Sequence, residues 1–190
     1  MKRGHIQKHI LKNIELAPYQ PYISHTSMGI IRWLMVGYES DDKITTEMAR
    51  NSFYNTKKKG YIKEVIKKTG QNEAKIKFKL TEKGKKVLRG HEFNDMQIQK
   101  TEKWDGYWWV VVFDIPEKDR AIREMLREKL KDLGFIKFQG SVWMYPYECA
   151  KEIDFVSEFF HIQQHLITFK AKLNNDIFAQ KYFRQQGLNL

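Results

Sequence analysis

The sequence predicts an α+β protein built from two parts, and three observations predict it. Positive charge is concentrated in one half, since residues 1–100 hold 21 Lys and Arg against 10 Asp and Glu, whereas residues 101–190 hold 13 of each. The basic half has the pattern of three helices followed by a two-stranded hairpin. The neutral half has the pattern strand, helix, strand, strand, helix, strand. These patterns predict an N-terminal winged helix-turn-helix domain followed by a ferredoxin-like (βαββαβ) domain with a C-terminal helix.

The predicted domain bounds follow from the same patterns. The winged helix-turn-helix covers residues 1–90, and the ferredoxin-like domain covers residues 104–190. Residues 91–103 are polar and lack clear periodicity, so we expect a linker there, with room for a further helix at residues 91–99.

Composition excludes several classes of protein. Cys149 is the single cysteine, so the chain has neither an internal disulfide framework nor a zinc site built from several thiolates. We expect Cys149 to be a small core residue rather than a nucleophile. No apolar run is long enough to span a bilayer, and the N-terminus lacks the apolar core of a signal peptide. We therefore expect a cytoplasmic protein without a membrane partner.

Apolar residues recur at helical spacing three times in the basic half. The predicted helices cover residues 5–16, 26–38 and 43–60. Thr45 or Thr46 suits the N-cap of the third helix, and Gly60 suits its end. One side of this helix is polar and mostly basic, with groups able to contact base edges or phosphates. Its residues are Glu47, Arg50, Asn51, Tyr54, Lys57 and Lys58.

For an isolated helix a solvated polar face is the simpler interpretation, but the next segment favours nucleic acid. Strands at 61–67 and 74–80 form a hairpin, and the second alternates so that Lys75, Lys77 and Lys79 share one face. Thr81 then caps a short helix at residues 82–88. Residues 43–89 hold 15 Lys and Arg against 4 Asp and Glu. We expect the polar face of the third helix in the major groove of double-stranded DNA and the three hairpin lysines on phosphates.

Two short motifs resemble the winged-helix domains of bacterial transcription regulators. The third helix ends in Lys58-Lys59-Gly60-Tyr61-Ile62, and the hairpin ends in Leu80-Thr81-Glu82-Lys83-Gly84. In those domains a Lys/Arg-Gly-Tyr/Leu-Ile step leads into the wing, and a Leu-Thr-x-x-Gly step closes it. The resemblance implies the fold and is weak for any operator sequence.

The neutral half begins with an apolar run at residues 107–114 that is typical of a central, buried strand. A helix at 117–133 presents the apolar stripe Ile122, Met125, Leu126, Leu130 and Leu133. The remaining predicted elements are strands at 135–139, 141–145 and 166–172, and helices at 148–160 and 174–185. The last helix carries apolar residues suited to a neighbouring element or a second subunit.

Asp114 ends the central strand, where it either turns the chain before Pro116 or belongs to a site. Residues 112–120 (VFDIPEKDR) and 140–143 (GSVW) are similar to the small CRISPR adaptation nuclease, CRISPR-associated protein two. In that family the Asp residues of two subunits face each other and bind a divalent cation. The resemblance implies Asp114 as metal ligand and catalytic residue with Ser141 beside it, although Trp143 stands where the family usually has Phe. Glu117 and Asp119 are further acids near Asp114 that could contribute to such a site. Of the two roles, we favour the structural one, in which Asp114 turns the chain before Pro116.

A winged helix placed before such a domain resembles the PaaX group of transcriptional repressors, over residues 25–172. The leading hypothesis is therefore a homodimeric DNA-binding transcriptional regulator, expected to be a repressor, that binds duplex DNA without a cofactor. The alternative is a metal-dependent endonuclease, or a CRISPR-adaptation-type nucleic-acid-binding protein, that uses Asp114 with Mg²⁺ or Mn²⁺. A third hypothesis, a winged helix that binds only protein, is disfavoured by the concentrated positive charge.

Overall fold

The computed structural model describes residues 3–16, 27–38, 44–68, 74–100, 103–188 and 190. These residues form helices and antiparallel sheets, which confirms the predicted α+β class. The chain divides into two compact units, unit 1 at Met1–Asn94 and unit 2 at Asp95–Leu190. Among the described helices, none combines the length and the apolar character that crossing a membrane requires.

The described part of unit 1 consists of helices around one core and a hairpin. In chain order its elements are α1 (Arg3–Leu16), α2 (Ser27–Leu34), α3 (Thr46–Lys58), β1 (Ile62–Lys68), β2 (Ala74–Leu80) and α4 (Glu82–Asp95). Strands β1 and β2 pair antiparallel. Every element contributes to the buried cluster Ile6, Ile10, Leu11, Ile14, Ile31, Leu34, Ala49, Phe53, Ile62, Phe78 and Leu88. Removing these apolar side chains from water is the main stabilising term of the unit.

Several helix ends in unit 1 differ from the prediction, and three of the differences have a clear physical reason. Helix α2 ends at Leu34, because the chain then turns at Gly37, whose φ is 71°. Helix α3 begins at Thr46, because the Thr45 side chain accepts a hydrogen bond from the Met48 amide at 3.2 Å. Helix α4 does not stop at residue 88 but continues through Gly90 to Asp95. Glycine costs a helix only about 1 kcal/mol, so packing of neighbours such as Leu88 offsets it.

Unit 2 is built on a four-stranded sheet. Its strands are β3 (Trp108–Phe113), β4 (Ile136–Gln139), β5 (Val142–Tyr145) and β6 (Leu166–Ala171). They lie in the order β4-β5-β3-β6, and every neighbouring pair is antiparallel. The apolar run therefore forms an inner strand, as predicted, with Trp108, Val111 and Phe113 buried in it.

The helices of unit 2 are α5 (Arg120–Asp132), α6 (Ala150–Phe160) and α7 (Ile177–Gln185). Helix α5 buries Leu126 and Leu130, as its stripe predicted, but Met125 is 49% exposed. The prediction for Met125 was wrong because the buried face is centred between Ile122 and Leu130, and Met125 lies about 100° around the helix from that centre. Lys129, one turn after Met125, is buried instead.

Helix α7 packs against the sheet through the aromatic ring of Phe183, among other contacts. The Phe183 ring stacks on Trp108 with ring centroids 5.5 Å apart and meets Tyr145 edge-on at 6.0 Å. The Trp108 indole N–H donates to the carboxylate of Asp176, just before the helix, at 2.9 Å. Ile177 and Phe178 of the same helix are 74% and 70% exposed. Contact of these two residues with a second subunit stays a prediction.

Candidate nucleic-acid interface

The two motifs of unit 1 meet in one joint, where α3 leads into β1 and β2 leads into α4. The Thr81 hydroxyl donates to the Gly60 carbonyl at 2.7 Å and accepts from the Gly84 amide at 3.0 Å. The Thr81 amide donates to the Tyr61 carbonyl at 3.0 Å. Gly60 has a φ of 70°, a backbone conformation that glycine adopts without strain. The joint fixes where the hairpin leaves α3.

Gly84 completes the joint because only a residue without a side chain fits there. A Cβ atom at Gly84 would lie 1.9 Å from the Tyr61 carbonyl oxygen and 2.8 Å from its carbon. Both contacts are with backbone, which cannot rotate away as a side chain would. The glycine of the Leu-Thr-x-x-Gly motif therefore has a packing role, in which α4 lies directly against the start of β1.

Helix α3 separates its two predicted faces. Ala49, Phe53 and Thr56 are buried, and the Thr56 hydroxyl donates to the Ser52 carbonyl at 2.7 Å. The five residues predicted to contact bases are all exposed, and they are Arg50, Asn51, Tyr54, Lys57 and Lys58. Their contact with DNA stays a prediction.

The strand register places several lysines on the same face of the hairpin. Lys63 pairs with Lys79, and Val65 pairs with Lys77. Directly opposite residues share a face of an antiparallel sheet, so Lys63, Lys77 and Lys79 lie together. The third predicted wing lysine, Lys75, pairs with Lys67, and the side chains of both lie outside the described part of the chain.

Lys63 was missed by the sequence reasoning. Strand β1 alternates less regularly than β2, and Lys63 is assigned to the lysine face only once the cross-strand register is known. Like charges placed directly opposite each other destabilise a strand pair. The Lys63–Lys79 pair therefore makes this face of the hairpin suited to an anionic partner.

Three further lysines near the joint make contacts within unit 1. Lys83 donates to the Lys59 carbonyl at 3.1 Å, and its ammonium lies 5.3 Å from the centre of the Tyr61 ring. Lys85 donates to Glu82 at 2.8 Å, and this hydrogen bond lowers the pKa of the Glu82 carboxyl. The Lys57 ammonium forms an ion pair with Glu64 of β1 at 2.5 Å.

In unit 2 the structure brings Asp114 and Ser141 to the same end of the sheet. Asp114 is exposed directly after β3, and its amide donates to the His165 carbonyl at 2.9 Å. The preceding amide, of Phe113, donates to the Ser141 carbonyl at 3.2 Å. The chain segments on both sides of β3 therefore meet at Asp114.

Among the described residues, the acids near Asp114 do not form a cluster of metal ligands within one chain. Arg123 donates to Glu117 at 2.7 Å and lowers the pKa of its carboxyl, so this acid is already engaged. Arg123 also donates to the Ile115 carbonyl at 3.1 Å. In the described residues no group of three or more His, Cys, Asp or Glu side chains is placed to hold a metal ion. Metal binding by Asp114 stays a prediction.

Cys149 is fully buried just before α6, and burial raises the pKa of its thiol to about 12. A thiol in this environment stays protonated at neutral pH, and the protonated form is a poor nucleophile.

Part of the chain matches a family of known proteins. Residues 101–182 match the family model described as the PaaX protein central Cas2-like domain. No curated protein matches the chain. The matched residues run from just before β3 into α7 and lie within unit 2. The match shows that this part of the chain is similar to the central domain of PaaX proteins.

Proposed function

We propose that the chain is a DNA-binding transcriptional regulator of the PaaX type, acting as a repressor and as a homodimer. Unit 1 is a winged helix-turn-helix that binds duplex DNA, and unit 2 is a ferredoxin-like domain that pairs subunits. The observation that carries the proposal is in unit 1. The exposed polar side of α3 and the lysine face of the hairpin belong to elements that one joint holds together.

The arrangement of unit 1 supports major-groove binding by α3. Its three helices precede a two-stranded hairpin, and the third helix buries Phe53 while it exposes Arg50, Asn51 and Tyr54. Arginine and asparagine are the residues that make bidentate contacts with guanine and adenine. We assign base contacts to the exposed side of α3, with Lys57 and Lys58 in its last turn.

Phosphate contacts are assigned to the hairpin. Lys77 and Lys79 were predicted for this role, as was Lys75, and the strand register adds Lys63. Phosphate contacts position a protein on DNA without reading sequence. Each one releases counterions, so binding weakens as salt concentration rises.

The sheet of unit 2 supports the ferredoxin-like assignment. The strand order β4-β5-β3-β6 places the first strand of this unit between its third and fourth, as a βαββαβ unit requires. Subunit pairing is supported by exposed apolar side chains on the edge strand β6, where Ile167 is 65% and Phe169 is 46% exposed. A twofold protein matches an operator with two half-sites.

The proposal is tested by the salt dependence of DNA binding. The unmodified chain and the variant K63Q/K79Q are titrated onto labelled duplex DNA at several salt concentrations. Loss of two phosphate contacts reduces the slope of log K against log salt by about 1.8, since each contact contributes about 0.9. The control K151Q/K172Q removes two exposed lysines of unit 2 and leaves the slope unchanged. Equal slopes for all three proteins would show that the hairpin is not part of the DNA interface.

A second candidate function is a metal-dependent endonuclease that uses Asp114 and Ser141. It is favoured by the exposure of Asp114 beside the Ser141 segment and by the Cas2-like description of the matched domain. Within the described residues of one chain no group of three or more possible metal ligands forms at this position, so a metal site would need a second subunit. Cleavage of duplex DNA with Mg²⁺ or Mn²⁺ that disappears in D114N would support this candidate. Intact DNA under the same conditions would contradict it.

A further inference from the structure

Glu64 is an acidic residue inside the basic surface of unit 1. It lies in β1 directly opposite Phe78, so both side chains belong to the same face of the hairpin. Phe78 is buried and meets Phe53 of α3 edge-on, with ring centroids 5.2 Å apart. Glu64 therefore lies on the face that packs against α3, whereas Lys63 and Lys79 lie on the opposite face.

From this position Glu64 reaches the last turn of α3. Its carboxylate pairs with the Lys57 ammonium, and the two side chains are 29% and 45% exposed. Arg50 and Lys58 lie on the same exposed side of α3, and neither has an ion-pair partner within the described part of the chain. Lys57 is thus the one predicted base-contacting cation among these three that the structure holds in place and neutralises.

We propose that Glu64 is a specificity-determining residue of the DNA-binding surface, a proposal that rests on the proposed function of unit 1. Its carboxylate keeps Lys57 from pairing with any phosphate that comes near. The pair directs the Lys57 ammonium toward acceptors on a base edge, of which guanine O6 and N7 are the usual partners of lysine. Glu64 itself repels phosphate. On random DNA the Lys57 ammonium therefore makes no contact, whereas on a preferred sequence it contacts a base edge.

The test compares the unmodified chain with E64Q on two duplexes. One duplex is selected from a random pool by the unmodified chain, and the other is the random pool itself. In E64Q the freed Lys57 gains a phosphate, so affinity for the random pool rises by up to about eightfold at 0.1 M salt and the salt slope steepens by about 0.9. The ratio of selected to random affinity falls. Identical slopes and ratios for both proteins would overturn the proposal.

Two controls separate specificity from stability and from overall charge. The double variant K57Q/E64Q lacks the freed lysine, and its salt slope returns to that of the unmodified chain. The variant E128Q makes the same change of net charge in unit 2, where Glu128 pairs with Lys131 at 2.7 Å, and leaves DNA binding unchanged. A steeper slope in either control would contradict the role of Glu64. Absence of salt-sensitive binding by the unmodified chain would instead overturn the proposed function itself.

Discussion

Gly84 provides the sharpest test of the joint that connects α3, the hairpin and α4. In the variant G84A the new methyl group would lie 1.9 Å from the Tyr61 carbonyl oxygen. An ordinary contact between these atoms is about 3.5 Å, so α4 or the start of β1 must move by more than 1 Å. The movement breaks or lengthens the hydrogen bonds that Thr81 makes with Gly60 and Gly84.

The expected cost follows from two opposing terms. Overpacking a filled site costs about 1–3 kcal/mol and occasionally more, and backbone on both sides of this contact places Gly84 at the upper end. Replacing glycine by alanine inside a helix returns about 1 kcal/mol. We therefore expect G84A to reduce the free energy of unfolding of unit 1 by about 2 kcal/mol.

Gly90 is the matched control for this substitution. It lies in the same helix, and in the described part of the chain no atom outside its chain neighbours and its own helix backbone lies within 4 Å of a Cβ placed there. The variant G90A keeps the helical gain without the clash, so we expect it to be up to about 1 kcal/mol more stable than the unmodified chain. Hydrogen exchange followed by mass spectrometry measures the opening of α3 and α4 separately from unit 2. Equal protection in G84A and G90A would refute the reasoning about the joint.

Three further predictions concern unit 2. The variant D176A leaves the indole N–H of Trp108 without an acceptor and costs about 1–3 kcal/mol, whereas D176N retains an acceptor oxygen; urea unfolding compares the two. Burial raises the pKa of Tyr145 to about 12, so the unfolded chain, with a tyrosine pKa of about 10, ionises first and stability falls as pH rises from 10 to 12. The variant Y145F removes this tyrosine's part of the loss, and an unchanged pH profile would contradict the assignment. The buried Cys149 thiol should react with a thiol reagent only after unit 2 opens, so its reaction rate should increase with urea.

The helices and strands of the fold were predictable from local sequence signals. The residues at which they begin and end were harder to predict. The run before Asp114 predicted an inner strand because apolar and β-branched residues fill it without a break. Thr81 and Gly84 were found as a motif, but the contact of Gly84 with Tyr61 joins residues 23 positions apart and has no local signal. Helix α4 was predicted too short because Gly90, in the sequence alone, indicates that the helix ends. Packing of neighbouring residues keeps the helix intact through this glycine.

The residues of the candidate site that lie on one helix face were predictable. The residues whose role depends on contact between two elements were not. The exposed side of α3 follows from helical periodicity, and Arg50 and Tyr54 are on that side in the structure. Lys63 and Glu64 were missed because their roles depend on which residue of β2 or α3 each one faces. Strand register and packing determine those contacts, and the periodicity of a single sequence gives no information about either.

The central claim is that unit 1 binds duplex DNA through its basic surface, and one titration tests it most directly. The full chain is added to labelled duplex DNA between about 50 and 200 mM salt, with Mg²⁺ or with a chelator. The account predicts a shifted, intact DNA band with and without metal, and an affinity that falls linearly in log K against log salt. Absence of binding at the lowest salt concentration, or binding that does not change with salt, would contradict it.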